Sequence, residues 1–291
     1  MRGDLATKGS LLRDLLAGLG DVVVAYSGGV DSALVAATAH EALGERSLAL
    51  TAVSPSLARR ELDAARALAR ANGWNHSVVA TREVAREEYA QNNPDRCYWC
   101  KTELFEVLEP IAEQRGATIL VGTNLDDLGD HRPGLEAARE HDVRAPLVDA
   151  GLTKAEVRAL SAERGLPTAE KPASPCLASR FAYGVRVTPE GLRRIDRAEE
   201  LVRSFGFEVL RVRDHGDLAR IELPPEDIAR AAGLGSAISE GLRGLGFSYV
   251  ALDLGGFRSG SMNAVLDAPK IGAPDPPALR SQRVRGSPPD R

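Results

Sequence analysis

Cysteine is scarce in this 291-residue chain, with three in all, at positions 97, 100 and 176. Three thiols cannot build a disulfide framework, and in a reducing compartment so small and odd a number leaves metal binding, redox chemistry or core filling. Long apolar runs are lacking too. Nothing approaches the roughly 20 apolar residues of a membrane span, and residues 1–21 hold no apolar stretch of the kind a signal peptide needs, so a cytoplasmic protein without membrane contact is expected. Basic charge is not in excess: 37 Lys and Arg against 41 Asp and Glu give a net charge of -4 and a pI near 5.8. Nucleic-acid binders neutralise many phosphates with clustered Lys and Arg, so this balance argues against a broad nucleic-acid footprint and leaves room only for a local basic pocket. Internal repeats are absent. What remains, 43% hydrophobic and 27% charged residues, is ordinary for a soluble globular protein, at a length that suggests two domains.

Strand-like and helix-like patterns alternate through the first 187 residues. Residues 21–26 are a β-branched run, 30–43 read as a helix closed by Gly44, and 47–53 are strand-like again, which makes a βαβ unit. Helices over 58–72 and 101–115 and strands over 74–80 and 118–122 extend it to an α/β fold, a doubly wound parallel sheet covered on both faces. The segment Gly122-Thr-Asn-Leu-Asp-Asp127 leaves the C-terminal end of its strand, where open α/β sheets place their ligands. Periodicity weakens over 132–146. Thr153 then reads as the N-cap of a helix over 154–165, with Glu156 at the capping-box position. Residues 170–180 hold two prolines and no apolar period, a loop of the length that carries function. A smaller α+β domain is expected over 188–268, with a helix over 189–205, a hairpin of 208–214 and 218–223, a helix over 225–244 and a strand over 247–254. Pro, Gly, Ser and Arg dominate from there on, so 269–291 is expected to be a disordered tail.

Ser27-Gly-Gly-Val-Asp-Ser32 lies between an apolar strand and a helix, where backbone N–H groups and the helix N-terminus converge on one anion site. Gly28 and Gly29 remove the Cβ atoms that would hold an oxyanion off. Ser27 and Ser32 add hydroxyl donors, and Asp31 suits a Mg²⁺ ligand, since a carboxylate beside phosphate is unfavourable without a cation. Each hydrogen bond to a charged oxygen contributes roughly 1.5–3 kcal/mol. A Gly-rich tight turn with Asp31 as a helix-capping acid is the plainer reading. The full motif after a strand counts against it, and it resembles the pyrophosphatase loop of the N-type ATP pyrophosphatases, the doubly wound fold shared by NAD synthetase, GMP synthetase, asparagine synthetase and tRNA thiolases. That resemblance implies cleavage of ATP to AMP and pyrophosphate.

Cys97 and Cys100 form a Cys-x-x-Cys pair just ahead of the helix expected at 101, both sulfurs on one side of a turn, suited to a metal or a redox disulfide. A zinc half-site or an incidental pair is the alternative. Three thiolates do not complete a tetrahedral structural zinc site without His or carboxylate, whereas they can hold a 4Fe-4S cluster with one iron open. Cys176 stands alone in the 170–180 loop as a buried small hydrophobe or a reactive thiol, with Lys171 and Arg180 near enough in sequence to favour thiolate.

Four ordered motifs, Ser-Gly-Gly-Val-Asp-Ser, Asn-Pro-x-Arg-Cys-Tyr-x-Cys-Lys, Gly-Thr-Asn-x-Asp-Asp with Asp130-His-Arg-Pro-Gly134, and Pro-Cys-Leu-Ala-Ser-Arg, together resemble the LarE family of ATP-dependent sulfur transferases over residues 11–263. The resemblance implies that a carboxylate of pyridinium-3,5-biscarboxylic acid mononucleotide is adenylated and converted to a thiocarboxylate on the way to the nickel-pincer nucleotide of lactate racemase. It implies a homo-oligomer, a hexamer among its forms, and a sulfide or cysteine-desulfurase sulfur donor. It also implies either a 4Fe-4S cluster on Cys97, Cys100 and Cys176 or a sacrificial Cys176 that becomes dehydroalanine; three cysteines favour the cluster. Further site candidates are Lys101, Ser179 and Arg180 beside the cysteines, Asp126 and Asp127 for a metal or the ribose, and Arg211 and Arg213 on one strand face as a phosphate clamp. The plainer reading of that arginine pair is a solvated edge strand. Glu200 and Glu222 resemble family positions near substrate or metal, although carboxylates on surface helices and strands are common. A tRNA thiolase is the nearest rival, with an amide-forming synthetase and a non-catalytic nucleotide-binding module behind it.

Overall fold

Val22, Val23 and Val24 are wholly buried although they point alternately to opposite sides of their strand, so both faces of that strand must be covered. The computed structural model, which describes residues 2–129 and 133–258, shows what covers them. Chain order is α1 (Arg2–Ala17), β1 (Val22–Ala25), α2 (Val30–Leu43), β2 (Ser47–Val53), α3 (Arg59–Ala71), β3 (His76–Ala80), the short α4 (Glu87–Ala90), α5 (Arg96–Arg115), β4 (Thr118–Leu120), α6 (Pro133–Glu140), the short α7 (Pro146–Asp149) and α8 (Lys154–Glu163). Then come α9 (Pro189–Ser204), β5 (Arg211–His215), β6 (Leu218–Glu222), α10 (Pro225–Gly233), α11 (Gly235–Arg243) and β7 (Tyr249–Leu252). The motif residues Asp130, His131 and Arg132, positions 259–268 and the tail 269–291 lie outside the described residues.

The first sheet runs β3-β2-β1-β4 and is parallel throughout, so the fold is α/β. Val22, Val24 and Tyr26 face a core with Leu12 and Leu16 of α1, Leu34 of α2 and Val157 and Leu160 of α8. Val23, Leu48 and Leu50 face the other way, onto Phe105, Leu108 and Ala112 of α5. The second sheet, β5-β6-β7, joins an antiparallel hairpin to a parallel third strand. Its core is built from Ala198 and Val202 of α9, Val212, Ile221, Ile238, Leu242 and Phe247. Among the described residues no helix is long and apolar enough to cross a membrane.

Four local expectations change. Helix α5 begins at Arg96, not 101, so Cys97 and Cys100 lie inside it; Arg-Cys-Tyr-Trp-Cys has little helix propensity, and packing overrides it. The stretch 225–244 breaks at Leu234, where Gly233 and Gly235 flank the end of α10 and the start of α11. Helix α6 occupies part of the weakly patterned 132–146. Helix α1 fills the N-terminal stretch that had been read only for a leader.

Candidate active site

Strand β1 delivers the chain into Ser27–Gly29 and straight on into α2. Gly28 has φ +75, the left-handed region, and a Cβ there would stand 2.9 Å from Cβ of Ala65 on α3, so both backbone and space require glycine. Helix α2 starts on Gly29 without a side-chain cap, which leaves its first N–H groups for an anion. Ser32 Oγ accepts from Ser27 N at 3.2 Å, lies 3.1 Å from Ser27 Oγ and donates to Gly29 O at 3.1 Å. The two hydroxyls thus brace the loop around the space an oxyanion would take.

The strand order reverses between β1 and β4, and ligands of open α/β sheets settle at such a switch point. Gly122, just past β4, lies so close to the loop that a Cβ would meet Ser32 N at 2.6 Å. Asn124 Nδ2 donates to Asp31 Oδ1 at 3.0 Å, and Lys154 Nζ lies 2.5 Å from Asp31 Oδ2. Lys154 opens α8, whose expected capping box of Thr153 and Glu156 is formed. Asp126 accepts from Lys154 N at 2.7 Å and Asp127 from Asn124 N at 3.1 Å, so both carboxylates shape the loop beside the site. Asp31 is thus held between Asn124 and Lys154.

The cysteine pair stands one turn apart at the start of α5, hence on one face. Asp95 precedes it without capping the helix by its side chain; its carboxylate takes Trp99 Nε1 at 3.2 Å. A cavity of about 160 Å³ runs from Tyr26 and Ser27 past Ser54 and Glu83 to Cys100, Lys101 and Cys176. Cys100 and Cys176 pack against the same apolar cluster, around Tyr89 and Leu177. Burial, with the Cys176 sulfur adding to it, pushes the Cys100 thiol up to about 12, against the pull of Lys101. Cys97 is exposed. Among the described residues no three His, Cys, Asp or Glu side chains are grouped to hold a metal ion. Glu83, 3% exposed, accepts from the Ser54 and Ser56 hydroxyls at Oε1, while its Oε2 meets no donor.

A model of the NAD synthase family matches residues 11–97. An uncharacterized protein of Synechocystis sp. is 46% identical over 266 residues, 90% of this chain and 99% of that one. The pyridinium-3,5-bisthiocarboxylic acid mononucleotide synthase of Lactiplantibacillus plantarum is 40% identical over 264 residues, 90% of this chain and 96% of that one. The chain belongs to the LarE family. The tRNA-specific 2-thiouridylase of Azorhizobium caulinodans is 32% identical over 193 residues, 53% of this chain and 49% of that one.

In this LarE-family chain the Cys176 loop hangs on arginines. Arg158 of α8 donates to the carbonyls of Ala169 and Lys171, Arg211 to that of Ala173, Arg180 to those of Pro175 and Cys176, Arg96 to that of Ala178 and Arg213 to that of Ser179. Arg180 also forms a fully buried bidentate pair with Glu199, at 2.8 and 3.1 Å, and takes Ser179 Oγ at 3.0 Å. Lys171 Nζ reaches Gly28 O at 2.9 Å and Glu61 at 2.7 Å. The charges of Arg180 and Lys171 are therefore matched by Glu199 and Glu61, whereas Cys176 and Cys97 help to favour the buried charge of Arg96. Lys101 lines the cavity as expected, whereas Ser179 is engaged by Arg180 and Arg213.

Arg211 and Arg213 do share a face of the edge strand β5, yet neither is solvated. Arg213 pairs with wholly buried Glu222 at 2.7 Å. Arg211 has only carbonyls for acceptors and lies 5.1 Å over the Phe257 ring; burial first, then the neighbouring Arg180, pulls it down to about 10. It lines a cavity of about 90 Å³ with Arg60, Lys171, Arg203 and Phe257. Glu200 is half exposed and pairs with Arg203 on the surface; Glu199 is the buried carboxylate, one residue off the position singled out. Arg96, Glu83, Lys154 and Glu199 are not among the residues that the sequence predicts for the site. Arg96 does stand in the Asn-Pro-x-Arg-Cys motif, and Lys154 is the first helical residue within a capping box beside a strand-end loop.

Proposed function

We propose that the protein is an ATP-dependent sulfur transferase that converts the carboxylates of pyridinium-3,5-biscarboxylic acid mononucleotide to thiocarboxylates. The observation that carries this reading is the single cavity joining Ser27 of the phosphate loop to Cys100, Lys101 and Cys176, which puts carboxylate activation and sulfur delivery side by side. The curated relative named for the bisthiocarboxylic acid mononucleotide supports the substrate.

A substrate carboxylate oxygen attacks the α-phosphorus of ATP, and pyrophosphate leaves with the bonding electron pair. The α2 N-terminus and the Ser27 and Ser32 hydroxyls receive that charge; Asp31 would hold a Mg²⁺ ion, which would supply further countercharge for the phosphates. Sulfur then attacks the acyl carbon and AMP departs, Lys101 balancing the charge. Arg211, a buried cation without a carboxylate of its own, suits the substrate's phosphate.

The sulfur-side residues offer the donor type of a 4Fe-4S cluster, three thiols on two segments, of which Cys100 and Cys176 line one cavity while Cys97 is exposed and the three are not grouped as a metal site among the described residues. Cys97, Cys100 and Cys176 would hold it, and its iron without a protein ligand would supply exchangeable sulfide. If Cys176 is sacrificial instead, its Sγ forms the thioester, and loss of the Cα proton breaks Cβ–Sγ to leave dehydroalanine at 176. Anaerobic turnover with ATP and the dicarboxylate mononucleotide tests the reading: AMP, pyrophosphate and thiocarboxylate are expected in equal amounts. Pyrophosphate release that ignores the dicarboxylate, or sulfur appearing only in added tRNA, overturns it. Mass analysis of the peptide containing Cys176 after turnover separates the two sulfur sources.

A further inference from the structure

Of the five arginines that hold the Cys176 loop, Arg180 and Arg213 are neutralised by buried glutamates, and Arg158 and Arg211 bond the loop at Ala169, Lys171 and Ala173, ahead of Cys176. Arg96 differs. It is 7% exposed, no carboxylate among the described residues pairs with it, and burial works against its charge while the nearby Cys176, Cys97, Tyr89 and Tyr183 favour it. A guanidinium this deep without an anion is costly, so its placement needs a reason.

The geometry supplies one. Arg96 Nη1 donates to Asn92 Oδ1 on one side and at 3.0 Å to the carbonyl of Ala178 on the other. Asn92 is fully buried in the left-handed region, φ 57, and its Nδ2 donates to Ala182 O at 2.7 Å while its carbonyl accepts from Gly184 N at 3.2 Å. Arg96 is thus the residue immediately before Cys97 and the direct bond to the segment two residues past Cys176. One side chain ties both cysteine-bearing segments together.

Resting on the sulfur-transfer reading above, we propose that Arg96 is a positioning residue for the sulfur step: it clamps the Cys97–Cys100 turn to the Cys176 loop. Carboxylate activation, at the Ser27 end of the cavity, does not use it.

The experiment compares wild type, Arg96→Met and Arg96→Lys. Iron-free reduced protein is treated with diamide and the Cys100–Cys176 disulfide is quantified by peptide mass, a readout that needs neither substrate nor metal. Separately, pyrophosphate release and thiocarboxylate formation are followed in the complete reaction. Wild type is expected to cross-link and Arg96→Met to do so poorly. In Arg96→Met pyrophosphate release should stay near wild type while thiocarboxylate formation falls by about 100-fold, the cost of a misplacement on the order of 1 Å. Arg96→Lys keeps the charge and enough donors for both acceptors but is one bond shorter and reaches them less well, so it should fall between. Sulfur transfer and cross-linking at wild-type levels in Arg96→Met, or equal losses of pyrophosphate release and sulfur transfer, overturn the proposal. If Arg96→Met does not fold, Arg96→Lys decides, and wild-type behaviour in both readouts overturns the clamp. Wild type that cross-links but makes no thiocarboxylate defeats the functional reading and leaves the clamp standing.

Discussion

The ammonium of Lys154 lies 2.5 Å from Oδ2 of Asp31, and on the proposed reading it competes there with the Mg²⁺ that would accompany ATP. The lysine holds the carboxylate in place without nucleotide and must turn to the phosphates or to solvent when the metal arrives. Lys154→Met should therefore lower the Mg²⁺ concentration for half-maximal pyrophosphate release, because the competing cation is gone. It should also lower the maximal rate, by about 100-fold if Lys154 acts as a preorganised phosphate donor. Asp31→Asn should remove the Mg²⁺ dependence together with the activity. A Lys154→Met enzyme with an unchanged Mg²⁺ requirement contradicts the exchange.

Gly122 sets how closely β4 approaches the phosphate loop. A methyl group at that position would stand 2.6 Å from Ser32 N and 2.8 Å from the Asp31 carbonyl carbon, both backbone atoms, so the loop itself must shift. Overpacking of this kind costs about 1–3 kcal/mol, and here it falls on the anion site. Gly122→Ala is expected to fold with intact secondary structure while ATP affinity, measured by calorimetry, weakens by about tenfold for each 1.4 kcal/mol displaced. Unchanged affinity would show that the loop has slack.

The βαβ alternation and the loop at 27–32 were legible because local signals agreed with the global fold: β-branched runs buried on both faces, glycines where a Cβ has no room, a capping box at 153–156. The start of α5 was not, since Asn-Pro-Asp reads as a turn and Cys, Tyr and Trp are weak helix formers; packing onto Phe105 and its neighbours decides. Glu199 and Glu200 are adjacent on α9 and indistinguishable by type, and only the helix face turns one to Arg180 and the other to solvent. Arg211 and Arg213 alternate as a solvated edge strand would; what buries them is a loop that lies 30 to 40 residues earlier in the chain. Arg96 stands in the Asn-Pro-x-Arg-Cys motif with no role of its own to read there, and Glu83 stands in no motif, because being an unmatched charge is a property of the folded surroundings.

Glu61 couples the phosphate loop to acid. Burial alone would raise its carboxyl, but Lys171, with Ser174 and Arg60 helping, outweighs this and holds it below its usual 4.5. A carboxylate lowered on folding contributes stability that is present above its unfolded value and is lost as pH falls through the folded one, so the window opens near pH 4.5 and extends downward. Protonated Glu61 releases Lys171, which also anchors Gly28. ATP-dependent protection against thermal unfolding should therefore decline as pH falls below about 4.5 in wild type. In Glu61→Gln the protection should be weaker at neutral pH and flatter with pH. Parallel curves for the two proteins would remove the coupling.

Arg211 predicts a response to anions. It is 9% exposed, its charge is disfavoured by burial and by Arg180 and Arg213, and Glu199, the one carboxylate opposing this, is bonded to Arg180. An anion in the adjoining cavity supplies the missing countercharge, and binding to the native state alone stabilises by about 2.7 kcal/mol at 100 times Kd. Inorganic phosphate should thus raise the melting temperature of the wild type in a saturable way, and Arg211→Met should lose that response. Without phosphate the variant should lose little stability, because shedding a desolvated charge offsets the lost bonds to Leu210 and Ala173 carbonyls. In turnover Arg211→Met should raise KM for the mononucleotide by at least about tenfold with a smaller change in kcat, the pattern of a lost binding contact. A phosphate effect equal in both proteins would place the anion elsewhere and leave Arg211 as scaffolding for the Cys176 loop.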